Sequence, residues 1–258
     1  VNANAPQPPP PPNPADFDAL YRGDFDALNQ NPQPTETVQH PGFRIDKVPW
    51  DIGEAQPVIR DLEADGRIAD EVLDIGCGPG ENTIFLADRG YRVLGLDAAP
   101  AAIDIARDRA RRRGLERAVA FDVADALTLT DYTDRFTTVI DSALYHCFDE
   151  DTRHRYVAAL HRAGRPGARL HLLCFSDLVP DEFPGPFRIG EDNLRDTLAG
   201  AGWAVRRLER TTYTTALTRG DLAQQAGAPL AAIADRLGYD AQDRLLAPAW
   251  LATAERTP

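Results

Sequence analysis

Apolar positions change period near residue 71. Before it, Phe17, Tyr21, Phe25 and Leu28 recur at helical spacing and predict a short helix. Asn29 to Pro34 breaks that pattern, and residues 35–50 read as irregular. Helical spacing returns over 55–65, where Val58, Ile59 and Leu62 share one face. From 71 onward strands and helices alternate. Val72–Ile75 reads as a strand, followed by a glycine-rich turn and a helix at about 81–89. Tyr91–Leu96 is a second strand. Pro100 opens a helix that runs to about Arg113 and stops at Gly114. Ala118–Phe121 and Phe136–Ile140 are the next strands. Asp149 or Asp151 caps a helix with the face Tyr156, Val157 and Leu160 and a stop at Gly164. Arg169–Phe175 is a fifth strand, apolar nearly throughout, as in a parallel strand covered on both faces. This alternation predicts an α/β, doubly wound, Rossmann-like sheet.

The remainder reads differently. A helix at about 191–200 precedes a strand at Trp203–Leu208, and Thr211–Thr215 is β-prone but polar. Residues 219–238 predict one or two helices. Leu245–Ala254 is a last strand, which Pro248 would confine to an edge or a bulge. At the other end, Pro6, Pro8 to Pro12 and Pro14 make residues 1–15 a polyproline or disordered tail. The chain divides into that tail and one domain over 16–258, with 16–65 as an N-terminal part, 70–175 as the core and 176–258 as the C-terminal part.

Composition narrows the function classes. The 258 residues are 43% hydrophobic and 26% charged, which suits a large core and neither a disordered polyelectrolyte nor a membrane bundle. No apolar run reaches the roughly 18 residues of a spanning helix. A net charge of −12 repels phosphate backbones and anionic lipid, so neither nucleic acid nor membrane is expected as a partner. Cys77, Cys147 and Cys174 are odd in number and show no C-x-x-C spacing, which reads as reduced thiols. The first residues lack the basic and apolar regions of a signal peptide, and a cytoplasmic location is expected.

The main chemical signal is Val72-Leu73-Asp74-Ile75-Gly76-Cys77-Gly78-Pro79-Gly80. Its glycines permit a sharp strand-to-helix turn and close approach of a ligand to the backbone. A nicotinamide site asks for G-x-G-x-x-G with pyrophosphate at the helix start. Here position 81 is Glu81, whose carboxylate opposes a pyrophosphate, and Asp74 adds a second acid. A cationic ligand without phosphate fits better, and S-adenosylmethionine is one. Asp97, 21 positions after Gly76, can accept both ribose hydroxyls, and Asp125 can accept the adenine amino proton.

On these residues the segment 70–175 resembles the class I S-adenosylmethionine-dependent methyltransferases. The resemblance implies a seven-stranded sheet with an antiparallel last strand. It implies Asp74, Gly76, Cys77, Gly78 and Gly80 near the methionine part, with Asn82 and Thr83 beside them. Asp97 and Ala98 would lie at the ribose, Asp125 and Ala126 at adenine, and Asp141 and Ser142 beneath the sulfonium. Tyr21-Arg22-Gly23, Pro49-Trp50-Asp51-Ile52-Gly53-Glu54-Ala55-Gln56-Pro57 and Asp141 to His146 are similar to the thiopurine-methyltransferase-like group. That group includes actinobacterial enzymes acting on phenols, quinolones and related heterocycles. It implies cofactor contacts from Tyr21, Trp50 and Gly53 and a lid over 16–65.

The expected activity is methyl transfer to an O, N or S atom of a small aromatic or heterocyclic molecule, with S-adenosylhomocysteine as product. In-line alignment supplies most of the acceleration. His146 either removes the acceptor's proton or merely hydrogen-bonds backbone. Tyr145 either orients the acceptor or forms an aromatic wall. Neither His154 and His161, seven apart, nor His40 and His171 suggest a metal site, and no cluster of hard oxygen ligands points to magnesium. The competing readings are a non-catalytic S-adenosylmethionine-binding regulator and a nicotinamide-dependent oxidoreductase. A nucleic-acid methyltransferase is opposed by the charge and by Asp141-Ser142-Ala143-Leu144, where an Asn/Asp-Pro-Pro-aromatic motif would stand.

Overall fold

A computed structural model describes residues 13–25, 46–181, 183, 187–225 and 233–257. The tail at 1–12, Leu28, the breaker at 29–34 and His40 lie outside the described residues.

Helix α1 (Pro14–Tyr21) is capped by the Asn13 side chain, and α2 (Pro57–Ala64) buries Ile59 and Leu62. The core then runs β1 (Val72–Ile75), α3 (Glu81–Asp88), β2 (Val93–Asp97), α4 (Pro100–Arg112), β3 (Val119–Val123) and β4 (Phe136–Ser142). It continues with α5 (Glu150–Ala163), β5 (Gly164–Phe175), α6 (Glu191–Gly200), β6 (Trp203–Thr218), α7 (Arg219–Gln225), β7 (Gly238–Tyr239) and β8 (Arg244–Arg256). Pro100 opens α4 as expected, and of the two candidate caps Asp149 does the work, accepting from the Thr152 N–H at 2.8 Å.

The sheet order is β3-β2-β1-β4-β5-β8-β6, with the short β7 paired to β8. The first five strands are mutually parallel, and β8 is antiparallel to both β5 and β6. The α/β sheet with an antiparallel last strand is therefore present, with β7 as an addition. All four β1 residues are buried, because helices cover both faces. Leu73 and Ile75 pack with Tyr156, Val157 and Leu160 of α5 and Leu194 and Leu198 of α6. On the opposite face Val72 packs with Ile59, Leu62 and Leu86, and Phe121 with Ile84, Ile103 and Ala106.

Three boundaries differ from the sequence reading, each for a local reason. Gly164 ends α5 with φ −70°, outside the left-handed region, so the chain passes directly into β5 five residues earlier than expected. Trp203–Leu208 and Thr211–Thr215 are one 16-residue strand, polar in part because β6 is the sheet edge. Pro248 lies inside β8 between two strands. Its carbonyl accepts from the Ser176 N–H at 3.0 Å, so its ring nitrogen faces the same flank, just past the last β5 pair, Phe175–Ala249. The missing donor thus falls where the neighbouring strand has ended.

Trp203 is 1% exposed and donates from Nε1 to the Val157 carbonyl at 3.0 Å, joining β6 to α5. Trp203→Ala should cost about 3–5 kcal/mol from cavity formation and the lost partner. Urea unfolding of the variant checks this, and a loss under 1 kcal/mol would refute it.

Candidate active site

The site lies at the carboxyl ends of the parallel strands, where β1 passes into α3. Gly76, Gly78 and Gly80 have φ of +67°, +51° and +84°. A side chain is excluded twice over at all three, Gly76 because a Cβ there would meet Leu144 Cδ2 at 2.9 Å. A Cβ at Gly80 would meet the Phe121 ring at 2.7 Å and Ala106 Cβ at 2.8 Å; one at Gly78 would meet the Tyr21 hydroxyl at 2.9 Å. Asp97, at the end of β2, fixes the turn. Its Oδ2 accepts from the Gly78 N–H at 2.8 Å and its Oδ1 from the Ala99 N–H at 2.9 Å. Burial raises the Asp97 pKa, and these backbone donors partly oppose the rise.

Asp74, on β1, is 1% exposed. Its Oδ2 accepts from the Thr83 hydroxyl, while its buried Oδ1 has no partner among the described residues. Burial lifts its pKa to about 6. A buried carboxylate oxygen with an unused acceptor, beside a loop of glycines, suits a cationic group. This is the observation on which S-adenosylmethionine fits the residues present. Ser142 Oγ, at the end of β4, is likewise buried and unpartnered, and Ser142 lines the same cleft.

Residues before β1 cover the turn. The Trp50 indole N–H donates to the Tyr21 hydroxyl at 2.6 Å, with the rings edge to face. Burial, then the Asp97 charge, raises the Tyr21 pKa well above its ordinary value. Arg109 on α4 holds this cover down, reaching Asp51 through two bonds at 2.8 and 2.6 Å and Glu81 at 3.0 Å. Arg113 adds a 2.9 Å contact to Glu81. The Glu81 charge, read from sequence as opposing a pyrophosphate, is thus shared with two guanidiniums. Gln56 completes the cover. Its backbone N–H donates to Asn82 Oδ1 at 2.9 Å, and its amide exchanges two bonds with the Thr214 backbone, at 2.8 and 3.2 Å.

Of the residues named from sequence, Trp50, Gly76, Cys77, Gly78, Asn82 and Ser142 line one cleft. Tyr21, Asp74, Gly80, Thr83 and Asp97 stand directly behind or against it. Ala98 and Asp125 are exposed at the ends of β2 and β3, and Ala126 is buried. The Asp125 Oδ1 accepts from the Leu127 N–H at 2.9 Å. Gly53 is exposed and lines a neighbouring surface groove instead. The sequence reading did not single out Asp51, Gln56, Arg109 or Tyr213. Gln56 and Tyr213 are joined to the site only by the pairing of segments far apart in sequence.

Near β4 the structure gives Asp141, Tyr145 and His146 partners that bear on their expected roles. The Asp141 carboxylate has partners on both oxygens: Oδ1 accepts from the Leu144 N–H at 2.8 Å, and Oδ2 from the Tyr145 N–H at 3.0 Å and the Tyr156 hydroxyl at 2.8 Å. It shapes the loop after β4, in which Ala143 is held at φ +82°. Tyr145 neither orients an acceptor nor walls the cleft. Its ring is in the core, its hydroxyl donates to Asn193 Oδ1 at 2.9 Å, and burial lifts its pKa to about 12. His146 is 3% exposed, and its Nδ1 accepts the Phe175 N–H at 2.8 Å, which is the backbone-bonding alternative. Burial, then the Arg153 charge, lowers its pKa to about 3, too low for a base working near neutrality.

Burial raises the Asp141 pKa to about 7, so the fold prefers its protonated form. That contribution to stability is complete below the unfolded value near 4 and is lost as pH rises through about 7. Asp141→Asn should therefore flatten the decline of unfolding free energy between pH 4 and 7; Asp74 slopes the same way up to about 6 and remains. Urea titrations across pH read this, and an unchanged slope would count against it. Arg109→Ala should weaken binding of S-adenosylhomocysteine several-fold in calorimetry by releasing Asp51, with little change in Tm. Unaltered affinity would remove Arg109 from the account.

Comparison with known proteins agrees with this geometry. A family described as "Methyltransferase domain" matches residues 72–167. The chain is 37% identical over 190 residues to 2-heptyl-1-hydroxyquinolin-4(1H)-one methyltransferase of Mycobacteroides abscessus, covering 73% of this chain and 76% of that one. A solved structure from work on conversion of a disulfide bond into a thioacetal group during echinomycin biosynthesis shares 37% identity, with TM-score 0.71 and coverage of 95% and 93%. The Burkholderia thailandensis 1,6-didemethyltoxoflavin-N1-methyltransferase, 20% identical with TM-score 0.57, covers 100% of this chain and 98% of its own and shares the fold. The chain belongs to the class I S-adenosylmethionine-dependent methyltransferases and transfers a methyl group from that cofactor to a small molecule.

Proposed function

We propose that the acceptor is a flat, apolar heteroaromatic molecule carrying an acidic hydroxyl, of the hydroxyquinolone kind. The observation that carries this reading is a buried aromatic and aliphatic cluster that borders the glycine-turn cleft. Tyr213 belongs to both, since it lines the cleft and packs with Phe175, Val179, Phe183, Leu217 and Leu222. Trp50 and Ala143 pack against the same cluster. Edge-to-face rings and aliphatic side chains favour a flat apolar ring. The hydroxyquinolone substrate in the name of the Mycobacteroides abscessus relative supports the same chemistry.

When bound, the cofactor supplies an electrophilic methyl group on a sulfonium. In this reading Asp74 Oδ1 and the turn Gly76 to Gly80 hold its amino-acid end. Asp97 has lone pairs left after its two backbone bonds and takes the ribose, and Asp125 takes the adenine. Tyr21 and Trp50 keep water out from above. Burial drives Cys147 up to about 12 and raises Tyr213 as well, so neither of these serves as a base near pH 7. The acceptor therefore enters ionised, and acidity is part of what is recognised.

Tritium-labelled S-adenosylmethionine with 1-hydroxyquinolin-4-ones, simple phenols and thiols tests the reading. Turnover should be fastest on the hydroxyquinolones and should rise with pH to a plateau set by each acceptor's own pKa. Below about pH 6 protonation of Asp74 should additionally weaken cofactor binding, because the neutral acid no longer attracts a cation. Asp97→Ala should weaken S-adenosylhomocysteine binding at least tenfold, roughly the loss of one charge-assisted bond. Preference for thiols, or full affinity in the Asp97 variant, would overturn these assignments.

A further inference from the structure

Gln56 is a polar residue only 3% exposed, and it lines the cleft together with Asn82 and Tyr213. It precedes Pro57, which opens α2, and so takes the extended backbone that a proline imposes on its neighbour, with φ −54° and ψ 135°. Its carbonyl accepts from the Ile59 and Arg60 N–H groups at 2.9 and 3.1 Å, which fixes its backbone to α2. Its own N–H reaches the opposite wall, donating to Oδ1 of Asn82 in the first turn of α3 at 2.9 Å. The side chain crosses to β6. There Nε2 donates to the Thr214 carbonyl at 2.8 Å, and Oε1 accepts from the Thr214 N–H at 3.2 Å. β6 is a sheet edge, and these are backbone groups that an edge leaves without a strand partner. A primary amide carries a donor and an acceptor side by side, so it stands in for the missing strand.

Holding Thr214 places its neighbour Tyr213, whose ring lies between the cleft and Phe175, 5.8 Å from the latter's centre. The cleft as it stands has about 40 Å³ of free space, room for a few waters. Ligand pockets run from roughly 300 Å³ upward, so the 47–56 cover must lift to admit the cofactor. Two more ties join that cover to the same end of β6. The Ala216 N–H donates to the Pro49 carbonyl at 2.7 Å, and Lys47 pairs with Asp221, which accepts from the Thr218 N–H at 2.7 Å. Lifting the cover strains all of these ties, and a ligand held beneath the closed cover opposes the lifting. We infer that Gln56 is a positioning residue that makes the placement of Tyr213 depend on the cofactor. A cofactor in the cleft keeps the paired bonds to Thr214, and with them the Tyr213 wall, more firmly closed than in the free protein. On the acceptor reading above, on which this last step rests, Tyr213 is the wall that the acceptor meets, so the cofactor binds first and prepares the acceptor's place.

Amide exchange of the full chain, followed by NMR with and without saturating S-adenosylhomocysteine, reads this link at single amides. In the wild type the ligand should slow exchange of the Thr214 N–H about tenfold or more, as for a local opening that binding opposes. An unchanged rate would overturn the inference without recourse to any variant. Gln56→Met keeps the length of the side chain and loses both bonds. In it the ligand's effect at Thr214 should shrink to about twofold, while Ala216, tied through Pro49, keeps most of its protection. Full protection of Thr214 by the ligand in this variant would end the proposal. So would equally faster exchange at Thr214, Ala216 and the buried Leu172, which is the mark of a merely structural residue. With 1-hydroxyquinolin-4-one, the acceptor KM of the variant should rise about tenfold and its kcat fall less than about threefold, the scale of lost binding without lost chemistry. Unchanged constants would refute the placement of Tyr213. Failure of the wild type to methylate this acceptor would strike the acceptor reading instead, and the exchange rates would then decide the role of Gln56 alone.

Discussion

The bond from the Gly78 N–H to Asp97 holds the ends of β1 and β2 to one shape, and the site is arranged around it. The turn can take that shape only because Gly76, Gly78 and Gly80 all accept left-handed backbone angles. Absence of side chains there admits the Tyr21 hydroxyl to Gly78 and the Phe121 ring to Gly80. Position, shape and charge of the cleft therefore share one cause. The turn brings backbone donors to a carboxylate and leaves a second carboxylate, Asp74, with an oxygen unused.

Burying acids near one another in a protein of net charge −12 is costly, and two arrangements limit the cost. Arg109 and Arg113 compensate Asp51 and Glu81 at the rim. Asp141 and Asp74 are instead left with raised pKa values, about 7 and 6, so that each can turn neutral. Asp141 spends its oxygens on the loop after β4 and on Tyr156; Asp74 keeps one in reserve. The same burial that raises these acids lowers His146. One environment thus disfavours charge on carboxylates and imidazole alike.

The cover over the cleft is joined to the C-terminal part of the chain. Gln56 exchanges two bonds with the backbone of Thr214, Lys47 pairs with Asp221, and the Ala216 N–H donates to the Pro49 carbonyl at 2.7 Å. The cover and the buried cluster around Tyr213 consequently share β6 and α7. Changes in the 213–222 segment are felt at the glycine turn through these bonds, although the two are more than 130 residues apart in sequence.

By itself the sequence determined what depends on local chemistry. The strand-turn-helix of Val72 to Asp88, the alternation that makes a doubly wound sheet, the Pro100 helix start and the Asp149 cap follow from neighbouring residues and their conformational limits. The acids at 74 and 97 were legible because the period of the chain puts both at strand ends. Only the tertiary structure decided which groups have partners. It set Pro248 inside β8, because whether a missing donor is harmful depends on where the next strand ends. It turned Tyr145 into the core, gave partners to both oxygens of Asp141, gave the His146 Nδ1 to Phe175, and joined Tyr213 to the cleft. Hydrogen-bond partners and burial are fixed by segments distant in sequence, and both set the protonation state on which a residue's chemistry rests.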